Sequence, residues 1–237
     1  MYHGDEYPLA MAQARAQAAS AFLVKVFNWM AAGLALTGIT ALAVVQSPAA
    51  IQFIFGNRFV FYGLIIAELG MVVYLSARVA KMAVATATGL FLGYALLNGV
   101  TLSSILLLYT GSSIAATFFV TAGMFGAMAA YGAVTKKDLS SWGSFLFMGL
   151  VGVVIAGLVN IFLQSPMVSW VMSGIGVIVF TGLTAYDVQK IRSLGAGAMI
   201  GDGEAGLRKG AIWGALTLYL DFVNLFLMLL RFLGDRR

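Results

Sequence analysis

Residues 214–233 read GALTLYLDFVNLFLMLLRFL. An apolar run of about 20 residues is what a helix needs to cross the hydrocarbon of a bilayer, yet Asp221 sits in the middle of this one. A second acid, Asp187, lies in the preceding apolar stretch, GLTAYDVQKIR at 182–192. A carboxylate in hydrocarbon costs roughly 2.5–3.5 kcal/mol on insertion scales, so it faces a partner, a water-filled cavity or an ion path. Any functional reading of this chain turns on these two aspartates.

The rest of the composition agrees with a membrane setting. Of 237 residues, 61% are hydrophobic and 10% charged, and the mean hydropathy is +0.96. Soluble domains run near 45–50% apolar and about 25% charged. The chain has 28 glycines and only 3 prolines, the small-residue content that closely packed membrane helices use. With no cysteine, disulfides, thiol catalysis and iron–sulfur ligation are excluded, and the lone histidine, His3, leaves no zinc site of the usual His/Cys type and no Ser–His pair. No metal or cofactor is expected. The N-terminal stretch MYHGDEYPLAMAQARAQAASAF lacks the pattern of a cleaved signal peptide. Residues 1–21 are read as a polar cytoplasmic tail, and 22–237 as one transmembrane domain.

Seven candidate spans fall near residues 24–46, 59–78, 84–108, 113–134, 142–163, 168–189 and 211–233. Short turn sequences such as Gln46-Ser47-Pro48 and Gln164-Ser165-Pro166 separate them, and only 190–210 forms a longer polar connection. Arg15 and Lys25 precede the first span, Arg78 and Lys81 follow the second, Lys136 and Lys137 the fourth, and Lys190, Arg192, Arg208 and Lys209 the sixth, while the alternate loops carry only Arg58. This alternation puts the N-terminus and the basic loops in the cytoplasm, and it also accounts for the net charge of +5 without nucleic-acid binding. The seventh span is open to two readings: a full crossing puts Arg231, Arg236 and Arg237 outside, and a re-entrant helix keeps them inside. The expected fold is an all-α, polytopic bundle with six helices around a central C-terminal seventh.

Arg78 ends the second span and Asp187 nearly ends the sixth, so both reach the basic face, and an Arg–carboxylate pair is geometrically strong. Asp221 lies about 15 Å into the seventh helix; it meets Asp187 if that helix starts late or tilts, and otherwise lies nearer Glu68. Glu68, in LIIAELGMVV, is the third intramembrane acid, about 15 Å along its helix from Arg78. Acids at graded depth outline a cation route; the blander reading is that each bonds a neighbouring helix. Two carboxylates sharing a site titrate as a coupled pair, a plausible proton sensor. Gly149/Gly152, Gly174/Gly176 and Gly89/Gly93 read as helix contacts. The polar run Asn98, Thr101, Ser103, Ser104 lines a pore or bonds neighbouring helices. GAGAMIGDGEAGLRKG at 195–210 lacks the ligand spacing of an EF-hand and reads as a flexible connection.

With TAYDVQKI ending the sixth span, LYLDFVNLFLMLLRFL in the seventh and NGVTLS in the third, the sequence resembles the Bax inhibitor-1, or transmembrane Bax inhibitor motif, family in a bacterial form, from about residue 22 to the C-terminus. The resemblance implies a calcium-leak protein of the bacterial inner membrane, six helices around a seventh, gated by a pH-sensitive aspartate pair near the cytoplasmic face. By motif position the pair is Asp187 and Asp221, the partner arginine Arg78 and the pore acid Glu68, with the calcium ion as permeant. Some bacterial relatives are partners of a membrane protease.

Three functions compete. The first is a passive, pH-gated calcium leak, from which sequence cannot separate slow proton-coupled exchange. The second is an intramembrane aspartyl protease using both aspartates on one water, but the second motif of such enzymes, Gly-x-Gly-Asp inside a helix, is missing. The third is a regulatory protein that binds a membrane protease or stress-pathway component and moves no ion. Non-enzymatic leak is the reading carried forward; oligomeric state is unknown.

Overall fold

The computed structural model describes the backbone of residues 6–197 and 203–237, and side chains from residue 11 onward in those ranges. His3 and Asp202 lie outside the described residues. Within them the chain forms α1 (Glu6–Val45), α2 (Pro48–Phe55), α3 (Arg58–Arg78), a 3-10 turn (Val79–Lys81), α4 (Val84–Leu108), α5 (Gly111–Val134), α6 (Ser140–Leu163), α7 (Pro166–Gly197) and α8 (Gly203–Leu233). All but α2 are long and apolar enough to cross a membrane. The seven expected spans match these helices in order. Half of the most apolar window of α8 is buried, against 6% in α3 and 11% in α6, the contrast expected between an inner helix and lipid-facing ones.

Turn chemistry sets several boundaries. Ser47 caps α2 by accepting the Ala50 N–H, with Pro48 at the first helical position where its missing N–H costs nothing. Thr110 caps α5 through Ser113. At the end of α6, Gln164 takes a left-handed conformation, φ 49°, and Asn160 accepts the Ser165 N–H while its amide donates to Ser169. Asp138 accepts from Ser140, which holds its exposed carboxyl below the ordinary carboxylate range.

Two sequence expectations change. Helix begins within the polar tail, at Glu6, so α1 has 40 residues, about 60 Å at 1.5 Å per residue, twice the thickness of the hydrocarbon core. The 190–210 stretch is also mostly helical: α7 runs on to Gly197 and α8 starts at Gly203. Apolar packing explains both extensions, since Gly195 and Gly210 lie against the Phe22 ring and Gly214 against Val26 and Ile191.

The chain divides into two compact units, residues 1–101 with 190–216, and residues 102–189 with 217–237. In the first, α1 and α4 approach closely. A Cβ at Gly99 would lie 2.6 Å from the Thr37 carbonyl oxygen, the Thr37 hydroxyl lies 2.9 Å from the Ala95 carbonyl and 3.0 Å from the Gly33 carbonyl of its own helix, sharing its one proton between them, and Trp29 meets Phe91 edge-on. Gly89 and Gly93, expected as the helix contact in α4, face open space or only the Met71 sulfur at 4.0 Å; Gly99 carries that role.

In the second unit the aromatic ring of Phe222 on α8 packs against Phe118 and Phe125 of α5, and Gly176 of α7 admits Met228 of α8. Gly132 of α5 touches the Ala185 backbone of α7, and Gly143 of α6 lies under the Tyr186 ring. Gln189 accepts from the Leu139 N–H and donates to the Lys137 carbonyl, tying the basic α5–α6 connection to α7. The C-terminus is tied elsewhere. Thr110 N–H donates to the Asp235 carbonyl, Arg237 N–H to the Leu108 carbonyl and Asp235 N–H to the Ser113 hydroxyl. The last residues therefore sit with the α4–α5 connection, at the other end of α5 from the basic α5–α6 connection, which is the placement expected of a crossing α8 rather than a re-entrant one.

Two outcomes follow. Because the chain has no cysteine, single cysteines are background-free: Ser112→Cys and Arg237→Cys should react with an impermeant thiol reagent from one side of sealed vesicles, and Lys136→Cys from the other. Labelling of Arg237→Cys and Lys136→Cys from the same side would restore the re-entrant reading. Gly132→Ala should lower stability in detergent by about 1–3 kcal/mol, the usual cost of overpacking, while Gly126→Ala, which faces open space on the same helix, should change it by less than about 0.5 kcal/mol; thermal unfolding of the two variants checks this.

Candidate functional site

Asp187 and Asp221 meet. They stand on α7 and α8 within one unit, and a hydrogen bond joins their carboxyl groups. Asp221 is 5% exposed, whereas Asp187 is half-buried. Of the two readings of Asp221's depth, the structure selects the one that brings it to Asp187.

Local packing explains the placement. On α7, the residues just before Asp187 are the ones held by glycines: the Ala185 backbone by Gly132 and the Tyr186 ring by Gly143. Two residues after Asp187, Gln189 is fixed by Leu139 and Lys137. On α8, Tyr219 and Leu218 are fully buried and Phe222 is held by the two phenylalanines of α5. The turn of each helix that carries an aspartate is therefore clamped on both sides. Asn224, one turn further, donates back to the Leu220 carbonyl and satisfies itself within α8.

The pair has one unusual chemical property. Carboxylates carry no donor, so a hydrogen bond between two carboxyls requires a proton held between them. Asp221 Oδ2 is buried with no hydrogen-bond partner among the described residues, and an unsatisfied buried acceptor costs about 1–3 kcal/mol. Such a group is held in place by the fold, and it responds to any donor or cation that reaches it.

Glu68 and Arg78 belong to the other unit, ten residues apart on α3. Arg78 is the last residue of that helix and exposed. Glu68 is half-buried, and its Oε1 lies 2.6 Å from the Thr101 hydroxyl of α4. Thr101 Oγ1 is also 3.0 Å from the Asn98 carbonyl; with a single proton, the hydroxyl can donate to only one of the two at a time. Asn98 in turn donates to the Tyr94 hydroxyl at 3.4 Å.

The run whose role was open in the sequence thus supplies Glu68 with its partner, and NGVTLS can be read residue by residue: Asn98 and Thr101 are polar partners, and Gly99 is the contact with α1. Thr101 was legible only as a polar residue; its register against Glu68 has no signal in either helix alone. Among the described residues no group of three or more His, Cys, Asp or Glu side chains gathers as a resident metal site would need.

Known proteins share this framework. The family model described as "Inhibitor of apoptosis-promoting Bax1" matches residues 19–237. The inner membrane protein YbhL of Escherichia coli K12 is 52% identical over 216 residues, covering 91% of this chain and 92% of YbhL. A protein of Borreliella burgdorferi is 46% identical over 91% of this chain and 92% of its own length, and an uncharacterized membrane protein of Streptococcus pyogenes 35% identical over 90% and 92%. With that match running through both aspartate-bearing helices, and with seven helices able to cross a bilayer, the chain belongs to the Bax inhibitor-1 family and is an integral membrane protein.

Proposed function

We propose that the protein is a pH-sensitive calcium leak pathway of a bacterial inner membrane, with Asp187 and Asp221 as its gate and Glu68 as an acid on the ion path. The observation that carries this reading is the hydrogen bond between two carboxyls whose helices are otherwise clamped by apolar packing. While one proton is shared, the bond draws α7 and α8 together at that turn. When the proton leaves, two like charges remain. At about 4 Å and an effective dielectric near 20 they repel by on the order of 4 kcal/mol, comparable with the few kcal/mol that separate alternative helix arrangements. Protonation of the pair thereby biases a two-state element.

Arg78 is assigned as the pair's countercharge on the resemblance alone, and calcium is the cargo rather than a resident cofactor. Three features support the inner membrane with the N-terminus in the cytoplasm: seven apolar helices, a relative named an inner membrane protein, and basic residues concentrated in alternate loops. The reading is non-enzymatic.

Calcium entry into liposomes holding the purified protein should vary when the pH is stepped across roughly 5.5–8, because a coupled carboxyl pair gives up its protons in two macroscopic steps. Asp187→Asn and Asp221→Asn, which keep the shape of the side chain and remove the exchangeable proton, should each flatten that variation. No flux above empty liposomes at any pH would discard the leak reading in favour of a regulatory partner of a membrane protease.

Glu68→Gln keeps an acceptor for Thr101 and removes the charge. It should lower the flux several-fold while leaving its pH profile in place. Wild-type flux from this variant would remove Glu68 from the ion path.

A further inference from the structure

The first unit holds a cavity of about 600 Å³ between the 3-10 turn after α3, the end of α7 and the start of α8, within the ~300–1,000 Å³ range of ligand pockets. Two lysines line it. Lys209 Nζ donates to the Ala80 carbonyl at 2.8 Å, which anchors its charge at the cavity wall. An ammonium has three donors, so two remain for an oxyanion. Lys190 Nζ lies 5.3 Å from the centre of the Trp213 ring, a cation–π distance that holds the second charge over the same cavity. The remaining wall is apolar or small: Val79, Leu194 and Trp213, with Ala205 and Gly206 in the first turns of α8.

Helix α8 adds the positive end of its dipole at that point, and its acidic first-turn residue Glu204 is engaged by Arg208. The cavity also lies where the apolar spans give way to basic sequence, the level at which tryptophans anchor helices to lipid headgroups. Leu194 is 48% exposed at this wall. A pocket with two lysine charges on its wall, a helix N-terminus and a rim of exposed Leu194 and half-buried Trp213 matches a ligand with a phosphodiester at one end and hydrocarbon at the other. Basic pockets between membrane helices on the cytoplasmic side are sites for anionic headgroups.

We infer that this cavity binds the headgroup of an anionic phospholipid, with Lys190 and Lys209 on the phosphate and Trp213 and Leu194 against the glycerol and upper acyl chain. The inference is independent of ion conduction by the aspartate pair.

Native mass spectrometry of the full-length protein, released from micelles doped with phosphatidylglycerol or phosphatidylcholine, tests it. The wild type should retain phosphatidylglycerol in preference to phosphatidylcholine. Lys190→Gln/Lys209→Gln should reduce that retention by at least about fivefold, the factor expected for one basic side chain near an anionic lipid. The double variant Lys136→Gln/Lys137→Gln, which removes as much charge from another loop, should leave it unchanged. Ala205→Phe, which fills the cavity and keeps both lysines, should also lose the lipid, and it stands in if the lysine variant fails to fold.

Equal retention by wild type and both cavity variants would overturn the site. Equal loss in the Lys136/Lys137 variant would overturn it in favour of diffuse surface charge. Displacement of phosphatidylglycerol by millimolar glycerol phosphate would overturn the lipid assignment in favour of a site for a soluble phosphate.

Discussion

Two carboxyl groups can hydrogen-bond only while they share a proton, and in this protein that bond joins a half-buried Asp187 to an Asp221 that is only 5% exposed. Neither aspartate has a reason to be in an apolar helix on its own, because each alone would be an expensive buried charge. Together, with one proton, they satisfy each other in part. The unpaired Oδ2 of Asp221 shows that the satisfaction is incomplete. The surrounding structure holds that arrangement: Gly132 and Gly143 seat the α7 turn, and the phenylalanines of α5 seat the α8 turn.

The same constraint recurs across the molecule. In hydrocarbon every polar group must find its partner inside the protein, and several hydroxyls here do so economically, although Thr181 Oγ1 is buried with no hydrogen-bond partner among the described residues. Thr184 donates to the Phe180 carbonyl, Thr121 to Thr117 and Ser173 to Ser169, each within its own helix. Where a hydroxyl also reaches another helix, it ties the two together. Thr37 reaches Ala95 and Thr101 reaches Glu68. The close approach at Gly99 brings α1 and α4 near enough for the Thr37 contact, so small residues and cross-helix hydrogen bonds are parts of one device.

Glycine pairing was a mixed signal in the sequence: Gly149 meets Val179 and Gly176 meets Met228 across helices, as expected, but the α4 pair does not. Gly89 and Gly93 have the spacing of a membrane contact motif, yet open space surrounds one and a single distant sulfur approaches the other. Gly99, Gly132 and Gly143 have no such spacing and make the tightest approaches between one helix and another. A glycine permits contact; whether a partner backbone arrives there depends on how helices far apart in sequence are placed. The polar segments misled in a related way. Residues 1–21 and 190–210 look like tail and linker by composition, but Phe22, Gly195 and Gly210 supply enough apolar contact to extend both helices.

By itself the amino-acid sequence determined that the chain carries seven helices apolar enough to span a membrane, in which order they come, and which acids are out of place there. Those properties are local: a hydrophobic run, a capping serine or a carboxylate in hydrocarbon carries its free energy with it. Only the tertiary structure decided that Asp221 meets Asp187, that Thr101 serves Glu68, and that the C-terminus pairs with the α4–α5 connection. Each of these depends on the relative rotation and depth of two helices, and a rotation of about 100° per residue turns an error of one residue into a different face.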